Sequence, residues 1–127
     1  KIYAYQTLTD DELLVYERIY NILAERVPRP DFVIYLQISV KTLIKRIDHE
    51  GQPLERKISE KYLEDLVEAY DYFFFNYKGA PLLVVKADDL DLSQEDQAWD
   101  LIDQIRKLNK GTLYYVPESF QAKKTKR

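Results

Sequence analysis

Two short, nearly continuous apolar runs constrain this chain more than any other feature: Asp31-Phe32-Val33-Ile34-Tyr35-Leu36-Gln37 and Leu82-Leu83-Val84-Val85. Neither alternates apolar with polar residues, so each needs cover on both faces, as do strands of a parallel sheet packed between helices. The first run is therefore expected to be an internal strand. The runs are separated by helical patterns, and parallel strands need such a crossover.

The helical patterns have recognisable starts. Thr9-Asp10-Asp11-Glu12 has capping-box spacing, in which the hydroxyl accepts from an orphan amide and the glutamate reaches back. Leu13, Tyr16, Ile19, Tyr20, Leu23 and Val27 follow at intervals of three and four, and Pro28 and Pro30 end the pattern, so a helix is expected from Asp10 to Arg26. Ser39 can cap a helix through Ile47 with Leu43, Ile44 and Ile47 as its stripe. Periodicity fails from Asp48 to Lys57, which reads as a mobile loop around Gly51 and Pro53. Ser59 opens a long helix to Tyr77. Ser93-Gln94-Glu95-Asp96 starts a last one with Trp99, Ile102, Ile105 and Leu108 inward and Gly111 as its C′ residue. Thr112 to Val116 can extend beyond it.

The order helix, strand, helix, loop, helix, strand, helix gives two parallel strands with flanking helices, an α/β fold. At 127 residues, with 46% hydrophobic and 13% aromatic content, one buried core is within reach. Two strands alone make a poor sheet, so further strands are expected upstream or from another subunit. The chain opens Lys-Ile-Tyr-Ala-Tyr and contains no methionine, which leads us to expect a processed, cut or incomplete protein.

Several function classes fall away on composition. Without cysteine there are no disulfides or thiolate metal sites, and a lone histidine, His49, leaves little for a metal centre. No apolar run approaches membrane-spanning length and no signal pattern opens the chain, so a cytoplasmic protein without membrane contact is expected. A net charge of -3 gives no general attraction to nucleic acid. Lys123, Lys124, Lys126 and Arg127 make the tail basic; segment 118–127 reads as a solvated, disordered terminus rather than a phosphate-binding arm.

No G-x-x-x-x-G-K-[ST] is present, and three glycines, Gly51, Gly79 and Gly111, cannot build a G-x-G-x-x-G turn. Nucleophile-elbow and two-histidine metal motifs are absent too. What remains is the loop between two helices, flanked by Lys45, Arg46, Arg56 and Lys57 and containing Glu50 and Glu55. Such a loop can close over a phosphoryl transfer, excluding water and bringing cations to the developing charge. The same charges also suit ordinary solvated helix ends, and spacing leaves both readings open.

The run Pro30 to Gln37, followed by Ser39, Leu43, Arg46-Ile47, Glu55, Ile58-Ser59 and Tyr62-Leu63-Glu64-Asp65-Leu66, resembles the deoxynucleoside kinase family, in particular its bacterial deoxyadenosine and deoxyguanosine kinases. The resemblance continues through Glu68-Ala69-Tyr70, Phe73-Phe74-Phe75, Tyr77, Pro81 to Val85, Lys110-Gly111-Thr112 and Tyr114-Tyr115-Val116-Pro117. It implies that residues 1–117 are the C-terminal portion of a P-loop NTPase-type three-layer sandwich, with a lid at about 46–58. In that family the P-loop, the general base and the Asp/Glu-Arg-Ser motif all precede the part matched here.

By the same resemblance, Arg46 is the first lid arginine, a catalytic cation directed at the donor phosphates. Glu55 is the lid glutamate that approaches the sugar 3′-hydroxyl, a donor that an ionised carboxylate suits. Asp91 and Leu92 fall near the pair against which the donor base rests. The family's Arg-Gly-Arg around the lid glycine reads Glu50-Gly51-Gln52 here, and a carboxylate at a phosphate clamp repels the donor. The aromatic cluster Tyr70, Tyr72, Phe73, Phe74, Phe75 and Tyr77 has helical spacing and reads as core rather than as a base-stacking platform.

The resemblance implies a parent enzyme, commonly a homodimer, that uses ATP and Mg2+ to phosphorylate the 5′-hydroxyl of a deoxynucleoside, with purines preferred. The chain alone is expected to be inactive. The competing expectation is a non-catalytic nucleotide-binding or assembly module that has kept the fold and lost the lid chemistry.

Overall fold

A computed structural model describes residues 1–117; the basic tail, 118–127, lies outside them. The chain runs α1 (Ile2–Thr7), α2 (Asp10–Ala24), β1 (Val33–Gln37), α3 (Val40–Glu50), a 3-10 turn (Glu55–Lys57), α4 (Glu60–Phe75), β2 (Leu82–Lys86), α5 (Glu95–Lys107) and β3 (Thr112–Tyr115). The caps form where the sequence places them. Thr9 and Glu12 complete a reciprocal capping box, and Ser39 and Ser59 accept from the amides of Thr42 and Tyr62. Each cap satisfies an amide that the first turn would leave without a partner.

The sheet is parallel and in the order β1-β2-β3, so it has three strands where two were expected. The third comes from the 112–116 segment. Within this sheet β2 is paired on both edges, by β1 and β3, and β1 is paired on one, by β2. Register explains the continuous apolar pattern of β2. Leu82 and Val84 pair with Val33 and Tyr35 of β1 on one face, while Leu83 and Val85 pair with Ile34 and Leu36 on the other.

Both faces are covered by helices. Tyr70 and Phe74 of α4, with Tyr77, pack on Tyr35, Leu82 and Val84. Leu101, Ile105 and Leu108, on or next to α5, pack with Leu83, Val85 and Tyr115. This is the three-layer arrangement the resemblance implies. Leu83 and Val85 are wholly buried, and each such side chain contributes about 1.5–3 kcal/mol. Tyr35 stacks on Phe74 with ring centroids 4.4 Å apart, adding an oriented contact to the buried area.

Several details differ from expectation. Helix α5 turns Leu101, Ile105 and Leu108 inward, and leaves Trp99 53% and Ile102 37% exposed. A stripe at i, i+4, i+7 thus replaces the expected one, because β3 lets Leu101 reach Tyr115. Helix α5 is capped at its start by Gln94 without a side-chain bond, since Ser93 instead donates to Asp91. Gly111 is not the C′ residue of α5, whose C-cap is Leu108; it takes a left-handed φ of 70° at the entry to β3. In the aromatic cluster Tyr70, Phe73, Phe74 and Tyr77 interlock, whereas Tyr72 and Phe75 are 73% and 81% exposed. None of the residues of α2 is buried, including its expected inward stripe. No helix among the described residues is long and apolar enough to cross a membrane.

Candidate functional site

In an α/β sheet, ligands gather outside the carboxyl ends of the strands. Here those ends are Gln37 of β1 and Lys86 of β2, with Ser39 and Asp88 just beyond them. The ladder continues one step past β2, where the Ala87 amide donates to the Gln37 carbonyl at 2.8 Å. The Ala87-Asp88 segment is thereby held to the sheet.

The carboxylate of Asp88 joins β2 to α3. Its Oδ1 accepts from the Ser39 amide at 3.0 Å, from the Thr42 hydroxyl at 2.7 Å and from the Ser39 hydroxyl. Its Oδ2 is shielded from solvent and makes no hydrogen bond. Burial opposes ionisation, but the hydrogen bonds from Ser39 and Thr42, with Lys86 nearby, outweigh it and hold this carboxyl below its ordinary range. Sequence reasoning missed this residue. The available signal was an acid two positions beyond a buried strand, together with the Ser-x-x-Thr spacing at 39 and 42.

Arg46, on the outer half of α3, reaches the same segment. Its guanidinium donates to the Ala87 carbonyl at 3.0 Å and the Asp88 carbonyl at 3.4 Å. Arg46 thus stands at the strand ends with its side chain bonded to main chain.

Segment 48–57, expected as a mobile loop, instead contains the end of α3 and a 3-10 turn. Helix α3 continues to Glu50, three residues beyond the expected end. Gly51 closes it by donating to the Ile47 carbonyl at 2.9 Å, and a Cβ at Gly51 would clash with that oxygen. Glu55 sits in the 3-10 turn and accepts from the Gln52 amide at 2.8 Å, so its carboxylate closes the lid's own turn. Arg46 and Glu55 therefore engage different partners. Glu50 and Gln52 are exposed.

Asp91 and Leu92 lie exposed in the loop from β2 to α5. Asp91 accepts from the Ser93 amide at 3.0 Å and the Ser93 hydroxyl at 2.6 Å, and its own amide donates to Gln97. The Ser93 hydroxyl, then the Ser93 amide, holds the Asp91 carboxyl below its ordinary range. The turn is fixed at its main chain too, where the Asp91 carbonyl accepts from the Gln94 amide at 3.1 Å.

Beside the end of β1, Asp71 of α4 accepts from the Tyr35 hydroxyl at 2.6 Å and the Gln37 amide group at 3.0 Å. These residues line a groove of about 430 Å³ with Phe75, Val84 and Tyr114. Among the described residues no group of three or more His, Cys, Asp or Glu side chains is placed to hold a metal ion.

With the strand-end geometry in place, the comparisons with known proteins decide the family. The model of the deoxynucleoside kinase family matches residues 1–110. The chain belongs to the deoxynucleoside kinase family. Its similarity to a Bacillus subtilis deoxyguanosine kinase is 41% identity over 70 residues, covering 55% of this chain and 34% of that protein. A Lactobacillus acidophilus deoxyguanosine kinase is 32% identical over 99 residues, covering 71% of this chain and 43% of the relative. A Bacillus subtilis deoxyadenosine/deoxycytidine kinase is 29% identical over 79 residues, covering 61% and 36% respectively. The chain thus spans well under half the length of each of these deoxynucleoside kinases. No solved structure gives a significant match.

Proposed function

We propose that residues 1–117 form the lid-bearing C-terminal portion of a kinase that transfers the γ-phosphoryl group of ATP to the 5′-hydroxyl of a deoxynucleoside, with purines preferred. The observation that carries this reading is the position of Arg46, whose guanidinium stands over the Ala87 carbonyl at the strand ends. A family relationship to phosphoryl-transfer enzymes gives that cation a task. The purine preference is supported by relatives that are named deoxyguanosine kinases.

In this reading the 5′-hydroxyl oxygen forms the new bond to the γ-phosphorus as the bond to the bridging oxygen of ADP breaks. The hydroxyl proton passes to a base supplied by another part of the kinase. Arg46 leaves its main-chain carbonyls for the donor phosphates and offsets charge on the transferred group. Glu55 positions the sugar through its 3′-hydroxyl, exchanging the Gln52 amide for that donor. Asp91 and Leu92 present main chain to the donor base. Mg2+ can be held by one or two carboxylates when phosphates complete its shell. Among the described residues no group of three or more His, Cys, Asp or Glu side chains is gathered to hold the ion without phosphate. A cytoplasmic homodimer completes the reading, supported by the apolar residues Leu14, Val15, Ile19 and Ile22 exposed on α2.

The test is a kinase assay of the intact protein carrying this segment, with ATP and each of the four deoxynucleosides. Deoxyguanosine or deoxyadenosine 5′-monophosphate should form fastest, and residues 1–127 alone should give no product above a no-protein blank. Absence of any nucleoside monophosphate overturns the reading.

Glu50 and Gln52 support a second reading, a nucleotide-binding or assembly module with a degenerate lid. ATP binding by the intact protein without phosphoryl transfer would select it.

A further inference from the structure

We propose that Asp88 is a positioning residue for the lid: its carboxylate pins the first turn of α3 to the carboxyl end of β2 and so fixes where Arg46 stands. The inference rests on the reading of Arg46 given above and deepens it.

Three observations converge. The first is rigidity. Ala87 is itself buried, immediately after β2, and its amide is locked to the Gln37 carbonyl at 2.8 Å. An acceptor on this segment has little freedom.

The second is geometry. Ser39, Thr42 and Arg46 recur at intervals of three and four, so they share one side of α3. All three meet Asp88, and Arg46 meets Ala87 as well. Ser39 and Thr42 donate to the Asp88 carboxylate at 3.0 and 2.7 Å, and Arg46 donates to the Ala87 carbonyl at 3.0 Å. The helix is thereby held at its first turn and again near its middle. Moving the first turn would carry Arg46 with it.

The third is charge. Helix α3 has no acidic residue in its own first turn. Asp88 supplies from another element the negative charge that favours a helix N-terminus. Its carboxyl is held ionised by the same contacts, since the hydroxyls and amide of α3 stabilise the charged form against burial.

The test uses the intact kinase with Arg46→Ala, Asp88→Ala and the double variant, and reads kcat and the KM for ATP. Misplacing a catalytic group by about 1 Å costs on the order of 100-fold, so Asp88→Ala is expected to lower kcat by about tenfold or more when Arg46 is present. In the Arg46→Ala background the same change should cost less than about twofold, because its effect passes through Arg46. Equal losses in both backgrounds overturn the proposal. Asp88→Asn keeps the Oδ1 acceptor and should retain most of the turnover. If Asp88→Ala does not fold, Thr42→Val, which deletes a single donor to Asp88, takes its place with a smaller loss and the same non-additivity.

A second readout does not depend on activity. In the intact kinase, the Arg46 side-chain Nε–H should give a motionally restricted NMR signal, and Asp88→Ala or Thr42→Val should release it. An Arg46 signal unchanged by both variants overturns the proposal. If Arg46→Ala leaves turnover intact, the phosphate role of Arg46 fails instead, and the NMR result alone decides whether Asp88 restrains it.

Discussion

The guanidinium of Arg46 donates to the carbonyl of Ala87 at 3.0 Å, tying the lid helix to the chain as it leaves the central strand of the sheet. A residue expected to face donor phosphates therefore has a defined place without them. Exchanging two neutral carbonyl acceptors for phosphate favours the charged partner, since charge-assisted bonds are roughly twice as strong.

Replacing Arg46 separates its charge from its shape. Arg46→Ala in the intact kinase is expected to lower kcat/KM for ATP by about 100-fold, the usual cost of a lost transition-state donor. Arg46→Lys keeps the charge but loses the planar fork, and should fall between the two. Steady-state kinetics check this, and an unchanged Arg46→Ala enzyme removes the lid role.

Under the proposed lid reading, Glu50 and Gln52 give the opposite prediction. Glu50→Arg with Gln52→Arg should lower the KM for ATP by about threefold to tenfold, as each change brings a phosphate-pairing cation to an exposed lid position. Donor affinity and turnover that stay unchanged would remove the clamp argument for these two positions.

Asp88 sets a pH dependence in acid. Its folded-state carboxyl lies below the ordinary value of 3.8, so at that pH the unfolded chain binds more protons than the folded one. The stability it contributes is present above that value and lost as pH falls through the lower, folded one. Urea unfolding of residues 1–127 from about pH 5 downward should show this loss, and Asp88→Asn should flatten that part of the curve.

Tyr35 acts at the other end of the scale. Burial, then the hydrogen bond to Asp71, pushes its hydroxyl well above the ordinary 10.0. Its contribution is full below that value and lost as pH rises toward the folded one, because the unfolded tyrosine ionises first. Tyr35→Phe removes a bond to a carboxylate and should cost about 1.5–3 kcal/mol at neutral pH by urea unfolding. It should also remove a tyrosine that ionises above the ordinary range in an alkaline absorbance titration.

The core has its own test. Leu83 is wholly buried on the α5 face, and Leu83→Ala should destabilise the chain by about 2–5 kcal/mol through lost burial and a residual cavity. Trp99→Ala, on an exposed side of the same layer, should cost much less. Denaturation midpoints of the two variants check this difference, and a Trp99→Ala loss as large as that of Leu83→Ala would contradict the exposed position of Trp99.

What could be read from the chain alone was local. The caps at Thr9, Ser39 and Ser59, the strands at Val33 and Leu82, and the parallel class follow from side chains acting on their own backbone and from apolar runs needing two-sided cover. The candidate lid residues Arg46 and Glu55 were legible by resemblance. The tertiary structure decided what lies opposite what. Pairing with β3 gave β2 a partner on its second edge and turned Leu101 inward in place of Trp99. The bond from Ser39 and Thr42 to Asp88 spans more than forty residues of sequence, and no periodicity announces such a contact. A hydrogen bond has its range set by space, not by position along the chain, so the pin beneath Arg46 appeared only once β1 and β2 lay side by side.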